Sequence, residues 1–173
     1  MRLTVLVSSL PSFSYANETV PRALALLGGR AWVVHQSGEK HLESLRGHYA
    51  AAGVQGELVA FIDDMARRYA QADLVICRAG AVTIAELSAG GMASILVPFP
   101  HAVDDHQTAN ARFLAEQGAA VLLPQSELSP RRLADLIASL DRPALLRMAQ
   151  NARALGKPDA ARLVAQRCME LAR

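Results

Sequence analysis

A chain of 173 residues with 51% apolar and 20% charged side chains has the size and composition of one globular α/β domain with a real core. Its formal net charge of +2 creates no electrostatic demand for nucleic acid or an anionic membrane. Two cysteines far apart, Cys77 and Cys168, exclude a disulfide framework, and no apolar run reaches the ~18 residues of a membrane helix.

Met1-Arg2 leads into only a short apolar run, Leu3–Val7, without the small-residue cleavage pattern of a secretory leader. The expectation is a soluble cytoplasmic protein. Basic residues thicken from Arg131 to Arg173, but they are interleaved with apolar residues along helices and read as solvated faces.

Leu3–Val7 reads as a buried strand and Ser8–Ala16 as a polar, proline-containing loop. Asn17 is placed to cap a helix over Glu18–Leu27, with Pro21 in its first turn and Gly28-Gly29 stopping it. Ala31–His35 is a second strand, closed by Gln36-Ser37-Gly38, and Glu39–Ala52 a helix ended by Gly53. Glu57–Phe61 is a third strand. Asp63 begins a helix through Ala70, with Asp63 and Asp64 suited to its dipole. Leu74–Cys77 is a fourth strand, Arg78-Ala79-Gly80 a tight turn, and a helix from Ala81 is ended by Gly90-Gly91. Ala93–Val97 is a fifth strand, Pro98–Asp105 a loop, and a helix starts at His106 or Gln107 and runs to about Gln117. Ala119–Leu123 is the sixth strand. The rest is helical: Ser129–Leu140, Pro143–Leu155 and Asp159–Ala172.

Strand and helix alternate six times before the terminal helices. That order predicts an α/β fold with a doubly wound, parallel six-stranded sheet, residues 1–173 forming one domain. Ligands of such sheets lie beyond the carboxyl ends of the strands, at the switch point. The loops to inspect are therefore 8–16, 36–38, 62–65, 78–81 and 99–107.

The stretch Asp73–Leu87 combines a buried strand, a small-residue turn and a helix start. Backbone N–H groups of Ala81, Val82 and Thr83, with the positive end of the helix dipole, make a generic anion site there. Glu86 lies three residues beyond Thr83 on the same helix face. On pattern alone it is either a ligand carboxylate or a surface glutamate. Arg78, at the strand end, suits either a phosphate or an ion pair with a nearby acid. His101, Asp104, Asp105 and His106 are of types that suit a divalent metal, but their spacing matches no fixed site, so neither metal nor cofactor is expected. No Gly-x-Ser-x-Gly elbow supports hydrolase chemistry.

The same loops carry a resemblance. His35-Gln36-Ser37-Gly38, Phe61–Met65, Ala72–Ala81, Glu86, Val97-Pro98-Phe99-Pro100-His101 and His106–Ala111 resemble, in order and spacing, the C-terminal half of the MurG family. These are the bacterial N-acetylglucosaminyltransferases that convert lipid I to lipid II in peptidoglycan synthesis. The resemblance runs from about Asn17 to the C-terminus and implies the Rossmann-like, UDP-N-acetylglucosamine-binding half of a GT-B glycosyltransferase. The acceptor half, which precedes it in that family, is not in this sequence. By the resemblance, Glu86 takes the ribose hydroxyls. Main-chain groups of Ile62, with Met65 packing on the ring, frame uracil. His106 and Gln107 serve the sugar hydroxyls, with Asn110, one turn on, supporting them; the helix start itself offers the Ala81, Val82 and Thr83 N–H groups to phosphate or sugar oxygens.

One motif departs from the family. Its Gly-Gly-Ser-x-Gly-Ala turn, which wraps the diphosphate, is replaced by Ser8-Ser9-Leu10-Pro11-Ser12-Phe13. Glycines let backbone N–H groups approach a phosphate closely, and Pro11 removes a donor, so this segment would not form the same nest. An altered N-terminal segment is the expectation, with weak or abolished binding of UDP-N-acetylglucosamine. No residue here is a convincing general base, so the half is expected not to turn over alone. Two further readings remain open: the donor subunit of a split glycosyltransferase, and an engineered, non-binding scaffold domain. The parent enzyme of the first reading would sit peripherally at the inner face of the cell membrane without inserting into it.

Overall fold

The computed structural model describes residues 3–8 and 14–172. The segment Ser9–Phe13, most of the departing motif, lies outside the described residues. The strands are β1 (Leu3–Ser8), β2 (Ala31–Gln36), β3 (Glu57–Val59), β4 (Leu74–Cys77), β5 (Ser94–Leu96) and β6 (Ala120–Leu122). The helices are α1 (Ser14–Leu27), α2 (Leu42–Ala52), α3 (Met65–Gln71), α4 (Ala81–Gly90), α5 (His106–Ala115), α6 (Pro130–Ser139), α7 (Arg142–Leu155) and α8 (Ala160–Leu171).

The strands form one sheet in the order β3-β2-β1-β4-β5-β6, every pairing parallel. The expected doubly wound, six-stranded fold is what the chain adopts. The chain winds outward from β1 to β3, then returns to the other side of β1 and winds to β6. The reversal between β1 and β4 is the switch point, so their carboxyl ends, at Ser8 and Cys77, open the crevice where ligands of such folds bind.

The strands are continuous apolar runs because both faces are covered. Period-two alternation sends Leu74 and Ile76 of β4 into one core with Val33, Ile95, Leu133 and Ile137. Val75 and Cys77 enter the other, with Leu87, Leu96 and Leu114. The first core is closed by α1, α2, α6 and part of α7, the second by α3, α4 and α5.

The elements differ from the sequence reading at several ends. Asn17 does not cap α1: the helix begins at Ser14, and Asn17 lies buried inside it. Burial of Ala16, Val20, Ala23, Leu24 and Leu27 on one face carries the helix through Pro21, outweighing the hydrogen bond that proline forfeits. Asp63 does not start a helix. Asp64 is the cap of α3, accepting from the Arg67 N–H at 2.9 Å. β3 stops at Val59, two residues short of the exposed Phe61. The helix expected from Glu39 opens with a single 3₁₀ turn, Glu39–His41, before α2. Ser129 caps α6 ahead of Pro130, as the sequence suggests.

Candidate functional site

At the switch point lies a cavity of about 270 Å³. Its floor is Ser8, Gln36, Val75 and Cys77, the carboxyl ends of three adjacent strands. Its walls are Phe61, Met65 and Tyr69 on one side and Arg78, Val82, Thr83 and Glu86 on the other. Of the residues singled out from sequence, the fold gathers Met65, Arg78, Val82, Thr83 and Glu86 into this one cavity.

Gly80 is the N-cap of α4 and has no side chain to offer. The first intrahelical bond is Ile84 N–H to the Gly80 carbonyl at 2.9 Å, and no acidic residue stands in the first turn. The N–H groups of Ala81, Val82 and Thr83 therefore precede the helix ladder, at the positive end of the dipole. Asn110 on α5 locks this turn from behind, its Nδ2 donating to the Ala79 carbonyl at 3.0 Å.

Ile62 is buried and faces a neighbouring cavity of about 390 Å³ beside α3. Its N–H donates to Gln36 Oε1 at 3.0 Å, so only its carbonyl remains outside that bond. His106 is exposed at the start of α5. Gln107 Oε1 accepts from the Phe99 N–H at 2.9 Å, which leaves its amide NH2 as the group it has to offer. The two residues before α5, Asp104 and Asp105, hold left-handed φ values of 53° and 51°, which turn the loop into the helix. Asp105 also accepts from Thr108 Oγ1 at 2.6 Å. Among the described residues no group of three or more His, Cys, Asp or Glu side chains converges as a metal site.

Neutral acceptors hold Arg78 in place. Its guanidinium donates to the Val97 and Pro98 carbonyls at 3.0 and 2.8 Å and to Gln125 Oε1 at 2.6 Å, and it lies 5.3 Å from the Phe99 ring centroid. Burial pulls its pKa down to about 10, so it remains a cation at neutral pH. Arg78 staples the loop after β5 to the end of β4. Arg78→Lys keeps a charge but loses the planar fork. It is expected to lower stability by roughly 1–3 kcal/mol in urea unfolding, and an unchanged midpoint would show that the fork is dispensable.

Sequence reasoning missed Tyr69, whose hydroxyl donates to Glu86 Oε2 at 3.3 Å. The signal was available in part: Tyr69 is four residues beyond Met65, hence on the same face of α3. Gln36 sits in the quoted His35–Gly38 motif but carried no assignment. Beneath the pair, burial and then the Glu86 charge push the Cys77 thiol up to about 12, so it stays neutral.

A parallel sheet in this order, with a cavity and a helix N-terminus at its switch point, defines a Rossmann-like ligand-binding domain. The chain belongs to the glycosyltransferase family 28 C-terminal domain family, which it matches over residues 3–169. It is 66% identical over 158 residues to the UDP-N-acetylglucosamine--N-acetylmuramyl-(pentapeptide) pyrophosphoryl-undecaprenol N-acetylglucosamine transferase of Azoarcus sp. strain BH72; that match covers 90% of this chain and 44% of the relative. The enzyme of the same description from Aromatoleum aromaticum is 62% identical over 174 residues, 99% of this chain and 48% of the relative. Among solved structures, MurG of Acinetobacter baumannii superposes with a TM-score of 0.90 at 39% identity, covering 98% of this chain and 52% of that one. The fold is thus that of the C-terminal, Rossmann-like half of a GT-B enzyme. The chain spans about half the length of the curated relatives it matches.

Proposed function

We propose that this chain is the donor-binding half of a MurG-type N-acetylglucosaminyltransferase and holds UDP-N-acetylglucosamine at the switch point. The observation that carries this reading is the cavity itself: one carboxylate, Glu86, on its wall and an uncapped helix start, Ala81–Thr83, at its rim. A carboxylate accepts both hydroxyls of a ribose, and a helix N-terminus receives phosphate. Met65 would pack on the uracil ring near the Ile62 carbonyl. His106 and the Gln107 NH2 would meet the sugar hydroxyls, with Asn110 supporting them through its hold on the Ala79 carbonyl. As the sugar–phosphate bond breaks, the α4 N-terminus would stabilise the charge left on the departing UDP. The acceptor hydroxyl, the base that takes its proton and the lipid substrate belong to the other half.

A partner surface supports that division. The apolar residues Leu163, Val164, Met169 and Leu171 of α8 are all more than half exposed, an unusual density for one helix of a free-standing domain. The acceptor half would cover them, whether it continues the same chain or is a separate subunit. Among the described residues no helix is long and apolar enough to cross a membrane. We place the whole enzyme at the inner face of the bacterial membrane as a peripheral protein.

Calorimetric titration with UDP and UDP-N-acetylglucosamine tests the reading. Weak binding by the wild type, which lacks the glycine nest, and at least about a tenfold further loss in Glu86→Ala are expected, because a hydrogen bond to a charged group contributes about 1.5–3 kcal/mol. No heat with either ligand removes the nucleotide reading. Unchanged affinity in Glu86→Ala removes the ribose assignment alone.

A further inference from the structure

Glu86 stands on the exposed face of α4, where a glutamate side chain samples several rotamers. A ligand that needs one of them must freeze it, and the lost rotamer freedom reduces affinity. The structure supplies a restraint from a different element. Tyr69 reaches from α3 to α4, and its hydroxyl donates to one oxygen of the carboxylate, Oε2, at 3.3 Å. The other oxygen stays available to the cavity that both side chains line.

We propose that Tyr69 is a positioning residue: it holds the Glu86 carboxylate in the orientation that accepts the ribose hydroxyls, and so acts on nucleotide affinity through Glu86. The inference rests on the nucleotide reading of the switch-point cavity.

Three observations support it. First, α3 is anchored just ahead of Tyr69. Asp64 caps its start by accepting from the Arg67 N–H at 2.9 Å, and Arg68 is doubly bonded to Glu57 of β3, one bond being 2.9 Å. The tyrosine is therefore delivered by an anchored helix rather than by a loop. Second, Met65, Tyr69 and Glu86 are shared between the switch-point cavity and a groove of about 410 Å³ between α3 and α4. They form a common wall, so Tyr69 closes the back of the site, and the carboxylate cannot swing into the groove without breaking its bond. Third, the phenol is held as a donor. Burial, then Cys77 and Glu86, push its pKa upward, so it keeps its proton at neutral pH.

The test compares UDP with an analogue lacking both ribose hydroxyls, titrated by NMR against the wild type, Tyr69→Phe, Glu86→Gln and the double variant. Tyr69→Phe retains the ring and removes only the donor. Affinity for UDP is expected to fall about three- to tenfold, with affinity for the analogue changing less than about twofold. In the double variant, the loss added to that of Glu86→Gln is expected to be smaller than the loss Tyr69→Phe causes alone, because the carboxylate that the tyrosine orients is gone. Equal losses for both nucleotides in Tyr69→Phe would make the tyrosine a packing residue and overturn the inference. So would unchanged UDP affinity in Tyr69→Phe while Glu86→Gln still weakens binding. If the wild type binds neither nucleotide, the nucleotide reading itself fails and the inference falls with it.

Discussion

Acidification from pH 7 to pH 4.5 should remove roughly 2–3 kcal/mol of folding stability through one side chain, His35. The residue is fully buried on β2, and its Nδ1 lies 3.1 Å from the Tyr49 hydroxyl of α2, the rings meeting edge to face. Burial disfavours the imidazolium and lowers the pKa from 6.5 to about 3. The unfolded chain therefore binds more protons than the folded one between those values. Stability rises with pH across that window. It is fully present above about pH 6.5, is lost at up to ~1.4 kcal/mol per pH unit as pH falls toward 3, and is flat below. The quantity to measure is the difference between wild type and His35→Gln in urea unfolding at pH 7, 5.5 and 4.5. The amide does not titrate, so the variant starts less stable and loses less on acidification. Parallel curves for the two proteins would show that His35 is not the titrating group.

The sheet and its switch point were legible because their signals are local. Leu74–Cys77 is apolar without interruption, which requires cover on both faces, and the sixfold alternation of such runs with helices leaves few topologies. The helix start at Ala81 followed from the small-residue turn Arg78-Ala79-Gly80 ahead of it. What stayed hidden depends on partners distant in sequence. α1 extends to Ser14 because tertiary burial of Ala16 and Val20 overrides a proline, a balance no propensity expresses. Arg78 finds its acceptors 19, 20 and 47 residues away, and two of them are backbone carbonyls, which carry no residue-type signal. The Tyr69–Glu86 bond joins two helices across 17 residues. The roles assigned to Ile62, His106, Gln107 and Asn110 came from the family resemblance. The fold adds the contacts that constrain them, above all the Gln36 bond to the Ile62 N–H and the Phe99 bond to Gln107.

Gly156→Ala should destabilise the protein by roughly 1–3 kcal/mol and weaken nucleotide binding, although no ligand-facing atom changes. Gly156 has φ −63° and ψ 144°, a conformation any residue adopts, so its reason is space rather than backbone freedom. A Cβ there would lie 2.7 Å from the Ser88 carbonyl oxygen, 3.0 Å from its carbon and 3.2 Å from Ala89 Cα. These are backbone atoms at the end of α4, the helix that carries Thr83 and Glu86. They cannot rotate away as a flexible side chain would. The same junction is drawn tight by Arg153, whose guanidinium donates to the Ala89 carbonyl and whose Cβ lies 3.1 Å from where a Gly91 Cβ would stand. Relief therefore requires α4 to move against α7, and a rigid helix transmits that shift to its N-terminal, ligand-facing turn. Gly47→Ala provides the contrast. Gly47 sits inside α2 with open space around it and should gain about 0.5–1 kcal/mol from helix propensity alone. Urea midpoints moving in opposite directions for the two substitutions, with UDP affinity falling only for Gly156→Ala, would tie the site to the α4–α7 contact. Midpoints moving together would show that the close approach at Ser88 is relieved elsewhere, without displacing α4.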